Sequence, residues 1–344
     1  MAQAHFTDTD TEHGGSEYGR SESGARRLFG GRWRGDRGIW RRGIVLACFA
    51  VLLTLTMLFH ARIPNDIGNL GSLTETFLPW LGVVGVPVLL ILALLRRSAT
   101  ALIVLLLPVI VWLNTFGGLI SHKSAAGGDL VVATHNVNAD NPDPVGTAKK
   151  VAASGADVVA LEELASGKAP VYEKALASTY PYHAVEGTVG LWSKYPMGDT
   201  EPVNIRLGWT RAMRATVATP KGRVAVYVAH LPSVRVKLDA GFTASQRDQS
   251  ADALGAAIKR EPMHDVVLLG DLNGTMNDRS LDAVTSQMRS TQGAAGNGFG
   301  FSWPARFPMA RIDQIMVRGA DPVSSWTLPS TGSDHLPIAA RLKL

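Results

Sequence analysis

A mixed-sheet α/β domain carried behind three apolar segments is the fold class this sequence predicts, and three observations predict it. The first 120 residues contain long runs almost free of charge. From about Asp129 the pattern switches to short β-branched runs alternating with alanine-rich helical stretches. The single cysteine, Cys48, lies within the first apolar run, so no disulfide framework is available within the chain. That does not exclude an exported domain, because 344 residues leave room for a large core that needs no bridges.

The three apolar segments are Ile44–Phe59, Thr76–Leu95 and Ala99–Ile120. A spanning helix needs about 20 apolar residues. The second and third segments meet that length and the first is short. Their prolines, Pro79, Pro87 and Pro108, are tolerated in lipid-embedded helices. The first segment reads as a signal anchor rather than a cleaved signal peptide, because its lead is long and arginine-rich and no small-x-small site follows Phe59.

Arginines in the short loops set the orientation. Seven arginines and one acid lie between Arg26 and Arg42, so a disordered basic tail over 1–42 is expected in the cytoplasm. Ala61–Glu75 holds one arginine and two acids and is expected outside. Arg96–Arg97 are expected inside. Three helices over 43–120 then place everything beyond Ile120 outside: a multi-pass protein of the cell membrane, with the bilayer as its first partner. The tether over 121–128 spans at most about 26 Å, which keeps the domain over 129–344 close to the lipid surface.

Within the domain the expected strands are Leu130–Thr134, Val158–Leu161, Leu191–Ser193, Ala215–Ala218, Arg223–Ala229, Val266–Leu269, Ile312–Val317 and Ile338–Leu342. The expected helices are Pro144–Ala153, Ala169–Ser178, Ala244–Arg260 and Ser280–Met288. Leu254 and Ile258 share one face of the third. Polar residues collect at the strand ends: Asn136, Glu162–Glu163, His230, Asp271 and Asn273 (as GDLN), Asp313 (in RIDQIMV), and Asp334–His335 (in SDHLP). Ligands of α/β sheets bind where strand ends open into loops. Taken singly, each residue has an ordinary structural explanation: GDLN is a turn, His230 a strand end, Asp334 a turn cap. The ordered set N…EE…H…GDxN…RID…SDH outweighs those explanations.

That set resembles the endonuclease/exonuclease/phosphatase superfamily over about Leu130 to Leu344. The resemblance implies a four-layer α/β/β/α sandwich of the DNase I-like kind and a metal-dependent phosphoester hydrolase. It implies that Glu163 binds the metal with Asn136 beside it and Asp334 acting nearby. The metal would be Mg²⁺, with Mn²⁺ as an alternative; a hard cation prefers oxygen ligands. It further implies that His335, oriented by Asp313, takes the proton of an attacking water. Asp271 and Asn273 would position the water and phosphoryl group, and His230 would hydrogen-bond or protonate the phosphate. Two positions depart from the pattern. Glu162 stands where Gln is usual, and either adds charge at the metal or points away. Ala229 stands where Thr is frequent. Arg211, Arg214 and Arg247 are candidate phosphate-facing cations.

An outward-facing site held near lipid headgroups has no access to cytoplasmic DNA or inositol phosphates, and no basic, aromatic-studded patch marks the domain for nucleic acid. The spans serve either as a plain anchor or as a platform for a lipid tail. The layout, with the segments GFSWPARFPMARIDQIMV and SDHLPI, is similar to that of the teicoplanin-resistance membrane proteins of the VanJ type in actinobacteria. This narrower resemblance implies a polyprenyl pyrophosphate substrate, namely undecaprenyl pyrophosphate, and a part in glycopeptide resistance. An outer-surface phosphodiesterase (nuclease or sphingomyelinase-like) and a non-catalytic binder of lipid pyrophosphate or glycopeptide are the alternatives.

Overall fold

The computed structural model describes residues 42–65, 68–233 and 241–344. The tail expected over 1–42 therefore lies outside the described residues, save for Arg42. Two helices are long and apolar enough to cross a membrane, α3 (Leu78–Leu95) and α4 (Ala99–Ile120). The first segment forms a shorter helix, α1 (Ile44–Leu58). At 1.5 Å per residue its 15 residues reach about 22 Å, short of a hydrocarbon core of about 30 Å. Between α1 and α3 a separate short helix, α2 (Leu70–Thr76), starts the second segment earlier than its apolar run. The apolar helices pack closely where side chains permit: a Cβ on Gly82 would stand 1.9 Å from the Trp112 ring, and the Trp112 indole donates to Pro79 O at 2.8 Å.

The domain is built on two six-stranded sheets. The first runs β11 (Asp321–Thr327), β12 (Ile338–Lys343), β1 (Leu130–Asn136), β2 (Val158–Glu162), β4 (Val189–Ser193), β3 (Tyr182–Glu186). The second runs β5 (Met197–Pro202), β6 (Ala212–Thr219), β7 (Gly222–Ala229), β8 (Val266–Asp271), β10 (Asp313–Arg318), β9 (Arg289–Ser290). The central strands, such as VVALE and VVLLGD, are buried along their whole length. Strands covered on both faces read as continuous apolar runs rather than alternating ones.

Three apolar layers hold the sandwich together. Val132, Ala160, Leu191, Val226, Leu269 and Ile315 fill the space between the sheets. On the outer face of the second sheet, Ala251, Leu254 and Ile258 of α7 (Gly241–Arg260) pack against Val266 and Leu268, as the four-residue spacing predicts. On the outer face of the first, α5 (Pro144–Ala152) and α6 (Ala169–Leu176) bury Val151, Tyr172 and Leu176. Pro144 opens α5, and the Asp143 side chain accepts from Gly146 N at 2.8 Å. This is the two-sheet DNase I-like architecture. All eight expected strands and four expected helices have counterparts, with the last helix split into a 3₁₀ turn (Arg279–Leu281) and the one-turn α8 (Asp282–Thr285).

The tether is fastened rather than free. Lys123 Nζ donates to Gly293 O at 2.6 Å, just ahead of the end of the short α9 (Thr291–Ala295). Ser124 Oγ donates to Ala295 O at 3.0 Å, and Ala125 N to Val323 O at 2.8 Å. The helix α2 and the start of α3 are fastened too. Arg247 donates to Ser72 Oγ at 3.0 Å, Thr275 Oγ1 to Glu75 O at 3.2 Å, and Trp80 Nε1 to Met309 O at 2.8 Å.

Candidate active site

Sheet register brings the polar strand ends together. Asp271, the last residue of β8, lies directly across from Asp313, the first of β10. Asn136 ends β1 beside Glu162 at the end of β2. Gly270 makes this convergence sterically feasible: its φ is +146°, and a Cβ there would stand 1.9 Å from Ala229 O. Three residues at the same edge, Asn138, Glu163 and Asn273, adopt left-handed φ values of 61°, 58° and 47° without being glycine. Such strain persists where surrounding structure fixes it, and clusters at functional sites.

The centre of the site is a buried carboxylate–histidine pair. His335 Nδ1 donates to Asp313 Oδ2 at 2.9 Å, and Ser302 Oγ donates to the same oxygen. His335 Nε2 points toward Asp271 Oδ2 at 3.9 Å. Burial draws the His335 pKa down, but the charges of Asp313 and Asp271 and the Asp313 hydrogen bond prevail and hold it at about 10. Burial and the nearby Asp313 push Asp271 up to about 7, against the pull of His335. Asp313 is held below the ordinary carboxylate range, its hydrogen bonds and the His335 charge outweighing burial.

Around this pair the other expected residues assemble. Asn136 Nδ2 donates to Asp271 Oδ2 at 3.0 Å, and Asn273 N to Asp271 Oδ1 at 2.9 Å. The Asn273 amide is anchored on Leu231 O at 2.9 Å. His230 Nε2 lies 3.5 Å from Glu163 Oε1 and 3.7 Å from Asp271 Oδ2. Burial, the Arg211 charge and His335 keep His230 neutral, its pKa well below the ordinary range. Asp334 Oδ1 accepts from Asn138 Nδ2 at 2.9 Å. Glu163, Asp271, Asn273, Asp334 and His335 all face one cavity of about 390 Å³.

The tightest group of metal-ligating atoms among the described residues is Asp271, Asp313 and His335, all within 4.8 Å of one another. Asp313 and His335 are already bonded to each other. Glu163 and Asp334 present carboxylates to the same cavity without belonging to that tight group. Together with Asp271 they supply an oxygen-rich wall that suits a hard divalent cation. Asn136 accepts from Asn138 N through its side-chain carbonyl and donates from its amide to Asp271, which places it beside the carboxylate wall. Glu162 is not among the residues that line the cavity: it is fully buried, Thr134 donates to it at 2.6 Å, and burial raises its pKa well above the ordinary carboxylate range.

Of the three candidate cations, one reaches the site. Arg211 abuts the His230 ring and lines a groove with Glu163 and His230. Arg214 is paired with Glu261 at 3.0 Å. Arg247 is buried against Asp278 at 2.6 Å and donates to Asn273 O at 3.0 Å, a support for the GDLN turn. Unexpected from sequence is the far wall of the cavity, where Ser72, Leu73, Thr76 and Phe77 of the α2 region face Asp271 and His335. LGSLTET carries no signature that sets it apart from a linker. Ser302 and Trp303, also at the site, lie in the GFSWPAR segment, whose spelling was the only sign of them.

Two stacked sheets with His, Asp and Asn converging at one edge define a class of phosphoester-cleaving enzymes. The endonuclease/exonuclease/phosphatase family model matches residues 133–335, which include all eight expected site residues, and the chain belongs to that family. No curated protein matches it by sequence. Among solved structures, it is similar to an endonuclease/exonuclease/phosphatase from Beutenbergia cavernae, at 18% identity and a TM-score of 0.51 over 63% of this chain and 72% of that one. It is also similar to D. rerio TDP2 complexed with single strand DNA product, at 17% identity and a TM-score of 0.54 over 63% and 100%. A mannosyl-6-phosphatase from Bacteroides thetaiotaomicron matches at 17% identity and a TM-score of 0.51 over 62% and 100%. At these identities the likeness is one of fold.

Proposed function

We propose that the protein is a membrane-bound, metal-dependent phosphohydrolase with an outward-facing site that removes the terminal phosphate of undecaprenyl pyrophosphate, and that it contributes in this way to glycopeptide resistance. One observation carries the reading: the catalytic cavity is closed on one side by Ser72, Leu73, Thr76 and Phe77, the residues that lead into an apolar helix. A site built partly from a membrane-flanking loop favours a substrate that lies at the membrane over a soluble polynucleotide. The exposed apolar side chains along all three helices, such as Val45, Leu95 and Ile110, suit lipid contact.

The residues divide the work as follows. His335, oriented by Asp313, accepts the proton of the attacking water. Asp271, steadied by Asn136 and Asn273, aligns that water. His230 and Arg211 face the phosphoryl oxygens. The water oxygen bonds to the terminal phosphorus, the bridging P–O bond breaks, and lipid monophosphate and inorganic phosphate result. Glu163 and Asp334, with Asp271, would hold Mg²⁺ or Mn²⁺, which would offset phosphoryl charge and loosen the proton that the carboxylates now keep on His335.

Full-chain protein in detergent with Mg²⁺, offered undecaprenyl pyrophosphate, DNA and sphingomyelin in turn, tests this. Phosphate release from the first alone is expected. DNA nicking or headgroup release at a comparable rate would overturn it.

A further inference from the structure

A second cavity, of about 330 Å³, lies where the apolar helices meet the domain. It shares Thr76 with the catalytic cavity, so the two adjoin. Its walls are unlike those of its neighbour. Pro79, Phe116 and Leu119 come from α3 and α4, and Phe299 and Phe301 from the domain. These rings form one cluster: Phe299 stacks on Phe301 at 5.0 Å and Phe301 on Trp80 at 5.9 Å, while Phe116 meets Phe299 tilted, at 6.1 Å.

Two cations line this mostly apolar cavity: Lys123, whose Nζ donates to Gly293 O at 2.6 Å, and Arg311. Arg311 is 6% exposed, and its Nη1 donates to Gly300 O at 2.8 Å. Its Nε and Nη2 have no hydrogen-bond partner among the described residues. A buried guanidinium with two unpartnered nitrogens, carrying three N–H groups between them, is costly unless an anion satisfies it. Burial outweighs the attraction of nearby Asp313 and lowers its pKa to about 10, which still leaves it charged at neutral pH. Arg311 is also next in sequence to Ile312, which lines the catalytic cavity. The arrangement therefore joins a largely apolar cavity to an unsatisfied cation, next in sequence to a residue that lines the catalytic cavity.

We propose that this second cavity is the subsite for the lipid-bearing half of the substrate: Arg311 binds the phosphate that stays on the lipid, and the Phe116–Phe299–Phe301 wall takes the first carbons of the hydrocarbon chain. The proposal rests on the phosphohydrolase reading above and adds to it the place where the retained half of that substrate, an anionic amphiphile with a chain directly on its phosphate, is held. Charge-assisted hydrogen bonds from Arg to phosphate set the retained group, and the bound chain fixes which phosphorus faces the water. A phosphate ester on a soluble sugar would satisfy Arg311 and leave the aromatic wall bare.

Farnesyl monophosphate, a product-like amphiphile that lacks the phosphoanhydride bond of the proposed substrate, and farnesol, its uncharged counterpart, are the probes. Binding to full-chain protein in detergent is read by fluorescence of Trp80 and Trp112, both packed against this aromatic cluster. Arg311→Gln is expected to weaken farnesyl monophosphate at least about tenfold and to leave farnesol unchanged. Gly118→Leu provides a second variant, since the only atom near a Cβ there is Lys123 Nζ at 3.8 Å and Gly118 lines the cavity. It is expected to weaken both probes by obstructing the cavity. Equal affinity of wild type and both variants for farnesyl monophosphate would overturn the subsite. If binding depends on Arg311 while undecaprenyl pyrophosphate is not hydrolysed, the subsite stands and the proposed reaction fails. If hydrolysis proceeds while binding ignores both substitutions, the reaction stands and the subsite fails.

Discussion

The two adjoining cavities are built on opposite principles. In the catalytic cavity the reactive side chains satisfy one another: Asp313 accepts from His335 and Ser302, and Asp271 accepts from Asn136 and Asn273. In the junction cavity the walls are apolar, and Arg311, Gln292 and Gln314 keep buried polar atoms that have no partner among the described residues. A satisfied network holds groups in one geometry and is a device for chemistry. An unsatisfied cation among aromatic rings is a device for holding something else. The loop around α2 belongs to both, since Thr76 lines each cavity and Arg247 ties Ser72 to the support of the GDLN turn.

The largest effect expected from this contrast lies on the catalytic side. His335→Ala should lower turnover at least about 100-fold, the magnitude of a general base, with little change in farnesyl monophosphate affinity. Steady-state phosphate release alongside the fluorescence titration separates the two. A comparable loss of amphiphile binding would show that the cavities do not divide the work in this way.

A smaller effect sharpens the comparison from the junction side. Glu75 is wholly buried at the end of α2, 3.5 Å from His60 Nδ1 and 4.0 Å from Arg279 Nη1. Burial, reinforced by the charge of Asp278, raises its pKa from 4.5 to about 8, against the opposing pull of Arg279. The folded protein thus keeps a proton that the unfolded chain gives up above about 4.5. Stability is full below that value, declines as pH rises toward 8, and levels beyond it. Thermal unfolding of the full chain from pH 4.5 to 9 should show this fall in Tm, and Glu75→Gln should flatten it. An unchanged slope in the variant would mean that Glu75 is not the group that couples the loop to pH.

What the sequence revealed and what it concealed follow the same physical line. The four strands that its patterning did not mark, Tyr182–Glu186, Met197–Pro202, Arg289–Ser290 and Asp321–Thr327, are the four edges of the two sheets. Edge strands face water on more sides and need no apolar run: MGDTEP is exposed over nearly its whole length. The central strands are buried on both faces and announced themselves as valine- and leucine-rich runs. The site residues were legible because each directly follows or opens such a run, as Asp271 follows VVLLG. The α2 wall and the isolation of Arg311 were not legible, since both arise from contacts between segments as distant as Ser72 and Arg247. Nothing in the local spelling of LGSLTET or MARID encodes them.

Glu162 is where spelling and structure meet most closely, and it carries the smallest expected effect. A glutamate in place of the usual glutamine reads as an added negative charge beside the metal. Its position in the fold disfavours that charge. The side chain is fully buried beneath the site, Thr134 Oγ1 donates to Oε1 at 2.6 Å, and burial raises its pKa well above the ordinary carboxylate range despite that hydrogen bond. Asp271 and Asp313 nearby add to the same tendency, because a third negative charge beside two carboxylates is disfavoured. A protonated glutamate has nearly the shape, neutrality and hydrogen-bonding capacity of glutamine. Glu162→Gln should therefore change turnover by less than about threefold and leave the Mg²⁺ concentration for half-activation where it was, against the 100-fold scale of a lost catalytic group. A large rise in that concentration would identify Glu162 as an ionised ligand and move it from the floor of the site into its wall.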